Sequence, residues 1–469
     1  MSKYKYTKGI VLLGLIALIG PPSCQVMNKY QTPELETENL FGEMTSTDTT
    51  TIANIPWKEY FTDPCLVALI DEGIEKNFDL QIAYTRIQQA EANLGMARAA
   101  YFPDLSLVGQ VNQSRSSIGA DGKDVLGYHS TNYSLGVSAS WELDIWGKLN
   151  RQSRSKYAQF LNSHAYKNLI QTSLVANIAT SYYSLLALDE QLKITIETVK
   201  LLEESVETME ALKKAGLQNG AAVEQSKSLL YSTQANIPDL ESQIKQMENS
   251  ICTMLGRKLG SISRTTIHNQ QYSNQLEYGV PVQMLAKRPD VQQAEFSFRS
   301  AFELTNAAQA SFYPSITLSS GTIGYATSNT LSNFFKPENI FANIIGGLTQ
   351  PIFAKKQLTG NLKIAKAQQQ EALLTFEQTV LGAGQEVADI LFSFESSLKK
   401  NRTRHMQIES CKNSVYFTQE LLKAGDANYT EVLNAEQNLL SALISQVNDK
   451  LEQLQCTVNL YKALGGGVE

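Results

Sequence analysis

The chain contains one long stretch twice, and the two copies align without a gap. Displaced by 209 positions, Leu149 falls on Leu358, Ala158 on Ala367 and Ala179 on Ala388. Lys214-Ala215-Gly216 likewise falls on Lys423-Ala424-Gly425, Val223 on Val432, and Leu255-Gly256 on Leu464-Gly465. An uninterrupted register across 149–256 marks a duplicated structural unit, so any fold must be built twice from the same parts.

Each copy reads as two long helices joined by a tight turn. Between Leu149 and Lys214 there is no proline, and Ala, Gln, Glu, Lys and Leu dominate. Apolar residues recur every seven positions: Leu185, Leu192, Val199 and Val206 on one row, Leu188, Leu202 and Met209 on a second. The return arm repeats the spacing with Leu230, Ile237, Ile244 and Ile251 beside Leu240, Met247 and Met254, as does the second copy with Leu433, Leu440, Val447, Leu454 and Tyr461. Such spacing keeps one seam against a neighbouring helix, as in a coiled coil. At ~1.5 Å per residue the first arm alone would run roughly 100 Å, too long for an ordinary globular core.

A shorter repeat precedes the long one. At an offset of 211, Asp79 falls on Asp290, Gln81 on Gln292, Ala90 on Ala301, Ala97 on Ala308 and Pro103 on Pro314. Both copies are Ala-rich helices that stop before a proline. The segments that follow have period two. Tyr133, Leu135, Val137, Ala139, Trp141, Leu143 and Ile145 alternate with Ser134, Gly136, Ser138, Ser140, Glu142 and Asp144. This strand pairs with 105–113; in the second copy 315–325 and 340–352 form the matching hairpin, with Ile340, Ala342, Ile344 and Leu348 on one face. Small and polar residues on one face and aliphatic or aromatic ones on the other suit a strand with water inside and lipid outside. The same alternation suits a small soluble β-subdomain.

At the N-terminus, Lys3, Lys5 and Lys8 precede the apolar run 10–19 and then Pro21-Pro22-Ser23-Cys24. A basic head and a short apolar core predict a secretory signal over 1–23. The Ser23-Cys24 junction resembles a bacterial lipoprotein cleavage site, which implies acylation of Cys24 in the outer membrane; an ordinary signal with an incidental cysteine is the alternative. Residues 24–56 read as an extended tether, 57–270 as the first repeat unit and 271–469 as the second.

No chemistry-bearing constellation accompanies this frame. Charged residues make up 18% and the net charge is −6, which leaves no basic footprint for nucleic acid. Five cysteines show no paired metal-ligand spacing and four histidines are scattered, so neither metal nor cofactor is expected. Asp79 and Asp290, with Glu91 and Arg288 nearby, offer paired carboxylates for hydrolysis. Their equivalent places before Ala-rich helices favour a helix-start role instead. In Arg288-Pro289-Asp290 the proline takes a first helical position. The expectation is a protein without catalytic residues.

The order hairpin, helical pair, hairpin, helical pair resembles the TolC/OprM/NodT family of outer-membrane efflux ducts. The residues that carry it are Trp57 with Phe61-Thr-Asp-Pro64, Asn77-Phe-Asp-Leu80, Tyr101-Phe-Pro-Asp-Leu105, Trp141-Glu-Leu-Asp-Ile-Trp-Gly147, and the lead from Gly279 into Leu285-Ala-Lys-Arg288-Pro289-Asp290. The resemblance implies a mainly α protein with a membrane β part. Three chains would close a twelve-stranded β-barrel in the outer membrane and a periplasmic α-barrel. It implies an exit duct for drugs or metals, serving a periplasmic adaptor and a proton-driven inner-membrane pump. A protein-secretion duct and a poreless coiled-coil envelope lipoprotein are the alternatives. Physics asks for an oligomer independently, because four strands leave two open edges that lipid cannot satisfy.

The resemblance also makes the two helical turns the periplasmic tip that meets the adaptor: Gly216, Leu217, Gln218, Asn219 and Gly220, and Gly425, Asp426, Ala427 and Asn428. Relatives carry an acid just beyond the second turn that rings the entrance. Asn434 occupies that place here, which leaves Asp426 and Glu436 as candidate entrance acids or, alternatively, as solvated helix-end charges.

Overall fold

The computed structural model describes residues 28–33, 55–118, 124–271, 286–426 and 428–468. The leader 1–23, Cys24, most of the tether, the lead from Gly279 to Leu285, and Ala427 lie outside the described residues. Helices α1 (Trp57–Tyr60), α2 (Pro64–Lys76) and α3 (Phe78–Ala99) come first, followed by strands β1 (Asp104–Ile118) and β2 (Asp124–Leu143). The first long pair is α4 (Lys148–Lys214) and α5 (Gly220–Met254). Then follow α6 (Pro289–Ala310), β3 (Ser315–Ser328), β4 (Ile340–Thr349) and the second long pair, α7 (Gln357–Ala424) and α8 (Tyr429–Ala463). Both offsets survive as element boundaries: α6 and β3 begin 211 positions after α3 and β1, and α7 and α8 begin 209 after α4 and α5.

Two units share these elements. Among the described residues, one comprises 28–33, 90–118, 124–160 and 296–373; the other comprises 55–89, 161–271, 286–295, 374–426 and 428–468. The first holds an antiparallel sheet in the order β1-β2-β3-β4, in which β1 and β4 are edges. The two hairpins meet where β2 pairs with β3, from Asn132 opposite Ser328 to Leu143 opposite Ile316. β2 and β4 both end earlier than the alternation predicts, for identifiable reasons. After Leu143, the Asp144 carboxylate accepts hydrogen bonds from the Leu149 and Asn150 backbone N–H groups at 2.9 and 2.8 Å. It caps α4 and turns Ile145 out of the ladder. After Thr349, Pro351 lacks the N–H needed to continue β4, so Ile352 lies beyond the strand. Adjoining helix ends are tied by the buried Arg151–Glu303 pair at 2.8 Å and by Ser155 against Ser300 at 2.8 Å.

In the second unit the seven-residue seam is the core. Leu185, Val199, Leu202, Val206 and Met209 of α4 are buried, as are Leu230 and Ile251 of α5 and Leu433, Val447, Leu454 and Tyr461 of α8. Thr195, which takes the seam position between Leu188 and Leu202, is also buried and returns its hydroxyl to the Gln191 carbonyl at 2.7 Å. The segment from α1 to α2 joins this core, with Trp57, Phe61, Leu66 and Ile70 in one cluster with Tyr182, Leu186, Ile251 and Val458. Asp63 starts α2. Its carboxylate accepts from the Cys65 N–H at 2.9 Å and, on its other oxygen, from Tyr182, Thr265 and Gln270 at 2.7, 2.5 and 2.6 Å.

The repeat pins itself together at two equivalent places with different chemistry. α5 and α8 both end in a left-handed glycine, Gly256 at φ +64° and Gly465 at φ +87°, each closing paired reverse hydrogen bonds onto the last turn. The last helical carbonyl of α5, Met254, accepts from the Asn77 amide at 2.8 Å. The last carbonyl of α8, Ala463, accepts from the Arg288 guanidinium at 2.7 Å. Asn77 and Arg288 are themselves 211 positions apart. A Cβ on Gly256 would stand 2.5 Å from the Lys76 carbonyl oxygen, so glycine is required for this crossing as well as for the turn.

Candidate functional site

Cross-strand register sorts the sheet into two faces. Leu105 lies opposite Ala139, Leu107 opposite Val137 and Val111 opposite Tyr133. Val137 then meets Ile323 and Leu143 meets Ile316, and these in turn meet Ala342 and Leu348. The result is one apolar face running across all four strands. Ser106, Gln110, Ser134, Ser138, Thr317, Thr322 and Asn343 share the opposite face by the same pairings. The apolar face is exposed: Leu107 at 73%, Ile323 at 62% and Ile344 at 76%. A water-soluble sheet buries such a face; here nothing among the described residues covers it. Val108, Phe341 and Ile345 are apolar residues on the polar side.

Aromatic residues gather where the strands meet the helices. The Trp141 indole donates to the Tyr101 carbonyl at 2.8 Å, and the Trp146 indole to the Pro314 carbonyl at 2.7 Å. Trp146 also stacks on Tyr313 with ring centroids 5.0 Å apart. Amphipathic rings with their polar atoms satisfied by backbone belong at a lipid–water boundary. No described helix is long and apolar enough to cross a membrane.

Where each long pair reverses, both turns have the same construction. Gly216 takes φ +73° and Gly425 φ +83°, with the following residues, Leu217 and Asp426, donating back to the Leu212 and Leu421 carbonyls at 2.9 Å each. Asn219 and Asn428 then cap the return helices, accepting from Ala222 at 3.0 Å and from Thr430 at 3.4 Å. Met209, Val223, Leu422 and Val432 form a small core beneath the turns, and Tyr429 donates to the Gln225 side chain. Leu217 is 70% exposed. Gln218 stands between it and the Asn219 cap, and Gly220 begins α5.

The candidate entrance acids part company. Asp426 and Asn434 are exposed. Glu436 is 8% exposed, takes a 3.2 Å hydrogen bond from Gln419, and presents no charge to solvent in this conformation. It stands three residues after Leu433, on the second row of the α8 seam, which turns it inward. Burial raises its pKa, an effect partly offset by the Gln419 amide.

Arg288, Pro289 and Asp290 form a structural clamp. The guanidinium grips Asp290 at 3.1 and 2.8 Å, Glu386 at 2.6 Å and the Ala463 carbonyl. The motif gave the residues but not the helix end they hold; the shared 211 offset with Asn77 was the available signal.

Comparison with known proteins follows the same lines. Residues 69–257 and 280–466 match the family model described as outer membrane efflux protein. The cation efflux system protein CusC of Escherichia coli O6:H1 is 28% identical over 463 residues, 97% of this chain and 98% of its own length. The toluene efflux pump outer membrane protein TtgC of Pseudomonas putida is 28% identical over 484 residues, 98% of this chain and 96% of its own. The open state of the Neisseria gonorrhoeae MtrE outer membrane channel superposes with a TM-score of 0.84 at 26% identity, covering 95% of this chain and 99% of that one. The exposed apolar sheet face, the paired helical hairpins and a match to both halves of the chain thus agree, and the chain belongs to the outer membrane efflux protein family.

Proposed function

We propose that the protein is the exit duct of a tripartite efflux system. It works as a homotrimer with a periplasmic adaptor at its helical turns and a proton-driven pump in the inner membrane. The observation that carries this reading is the four-stranded sheet with one continuous exposed apolar face and two open edges. Unpaired strand edges in lipid cost several kcal/mol per backbone group, so the edges must be paired by other copies. Three copies supply twelve strands, within the range of single-walled membrane barrels of about eight strands or more. We propose small molecules such as drugs or metals as the cargo. The relatives named for cations and for toluene match equally well, at 28% identity each, so the duct sequence does not separate these classes. Selection then rests with the pump.

Purified protein in planar bilayers tests the reading. Discrete conductance steps are expected, and their absence from assembled, membrane-inserted protein would refute the duct. Asp426 refines the test. It is exposed directly after Gly425, and threefold symmetry brings its copies together at the tip. Like charges around a narrow opening attract cations, so Asp426→Asn should lower cation selectivity at low salt and have little effect when salt screens the ring. Glu436→Gln, whose acid faces inward, should leave selectivity unchanged. An Asp426→Asn channel as selective as the parent would make that acid a solvated turn residue.

We also propose that Cys24 carries the lipid anchor, on the strength of the basic head, short apolar core and Ser23-Cys24 junction. Each buried acyl CH₂ contributes ~0.8 kcal/mol, so two or three chains hold firmly. Mass spectrometry of the mature N-terminus should find an acylated Cys24; an unmodified cysteine, or cleavage elsewhere, would rule it out.

A further inference from the structure

Above the small core at the turns, α4, α7 and α8 draw apart and leave a groove of about 780 Å³ within the second unit. Its walls are aliphatic: Leu201, Leu202 and Met209 from α4, and Leu439, Leu440 and Leu443 from α8. Glu436 lines it, and its Oε2 has no hydrogen-bond partner among the described residues although the residue is only 8% exposed. The other carboxylate oxygen has only the Gln419 amide. Carboxylates buried in apolar surroundings are stable when paired with a cation or hydrogen-bonded on both oxygens, and this one has neither.

The remaining charged residues along the groove are Glu190, Glu197 and Glu204 of α4, Lys412 and Lys423 of α7, and His268 from the segment after α5. Lys423 is engaged with Glu420 at 2.8 Å, and His268 faces Glu190 at 3.2 Å. Neither lysine comes within ion-pair distance of Glu436, and acids outnumber bases along the walls. The groove therefore offers one buried, half-satisfied carboxylate, an acidic rim and a long hydrocarbon wall. We propose that it binds an amphiphilic organic cation, its ammonium paired with Glu436 and its hydrocarbon body lying along the leucines. Apolar pockets with a single well-placed polar group are the ordinary form of a small-molecule site.

The assignment has a consequence for protons. Burial raises the Glu436 pKa, so its protonation in the empty groove persists to higher pH than that of an exposed glutamate. An arriving ammonium favours the carboxylate, so binding is coupled to proton loss and tightens as pH rises through the carboxyl's range.

The test uses the full chain, assembled and held in a non-ionic amphipathic polymer so that detergent does not compete. The probe is rhodamine 6G, a lipophilic cation, followed by fluorescence polarisation, with fluorescein as an anion of similar size. Saturable rhodamine binding is expected, with little from fluorescein. Glu436→Gln should weaken rhodamine about tenfold, the loss of one charge-assisted contact, and should flatten the pH dependence. His268 also lines the groove, and persistence of the pH dependence in Glu436→Gln would assign it to His268 and overturn the proposal. Leu443→Phe fills the groove without touching the carboxylate, and should weaken binding even if Glu436→Gln fails to assemble. No saturable binding to the assembled parent would mean that a neighbouring copy's helix fills the groove, and would overturn the site. Equal binding of both dyes, or undiminished rhodamine binding by Leu443→Phe, would also overturn it.

Discussion

Arg288→Ala should destabilise the helical unit by about 3 kcal/mol, the low end of the cost of removing one partner from a buried ion pair, because Asp290 and Glu386 keep part of their hydration. Arg288 is 7% exposed and its guanidinium satisfies three groups at once: the Asp290 carboxylate through two contacts, Glu386 at 2.6 Å and the Ala463 carbonyl at 2.7 Å. Its loss leaves two acids facing each other without a cation and the end of α8 without a donor. Arg288→Lys keeps the charge but cannot form the planar fork, so it should recover only part of the loss. Burial by itself would raise the Asp290 pKa. The Arg288 hydrogen bonds and charge outweigh it and hold the carboxyl below its ordinary value. A lowered folded pKa makes this contribution fully present above the unfolded carboxyl value near about 4, and it fades as pH falls through the folded one. Denaturant titrations followed by helical circular dichroism should show the Arg288→Ala deficit shrinking in acid. A variant that unfolds with the parent at neutral pH would mean that the clamp contributes nothing.

Much of the fold was legible because the chain states it twice. Seven-residue rows marked α4, α5 and α8, two-residue alternation marked β2 and β4, and the offsets of 209 and 211 supplied their counterparts. What remained hidden depended on partners far apart in sequence. Asp144 ends β2 because it caps α4, a competition that hydropathy does not register. The 211 offset relates Asn77 to Arg288, but their common role appears only once each is seen holding the end of a helix, since an amide and a guanidinium share no chemical likeness. Glu436 shows the opposite lapse. Its spacing from Leu433 places it on the buried seam, yet its proximity to the turn suggested an entrance acid. Periodicity outranked local analogy there, because a helix carries each side chain to a face set by its count from the seam. Pro238 in α5 is a further case: the helix runs through it despite the missing N–H, so seam packing outweighs a local cost of ~3 kcal/mol.

Gly324→Val should abolish the assembled channel. Gly324 lies opposite Gly136 at the seam where the two hairpins join, and this is the tightest approach in the sheet that the glycines define. A Cβ at Gly324 would stand 2.2 Å from the Leu135 carbonyl oxygen and 2.4 Å from the Gly136 Cα. Both obstacles are backbone, so no rotamer change relieves them. The strands must separate in mid-ladder, and each hydrogen bond lost there strands an N–H and a C=O in a lipid-facing sheet at several kcal/mol per group. Gly136→Val meets the Ile323 carbonyl at 2.8 Å and should be nearly as harmful. Gly321→Ala is the control in the same strand, since its added carbon finds its nearest neighbour at 3.7 Å, an ordinary contact. Outer-membrane yield, the assembled band on unheated gels and bilayer conductance should all be lost in Gly324→Val and kept in Gly321→Ala. A Gly324→Val protein that assembles and conducts like its parent would mean that β2 and β3 have slack at this seam. The glycine pair would then owe nothing to the close approach of the strands.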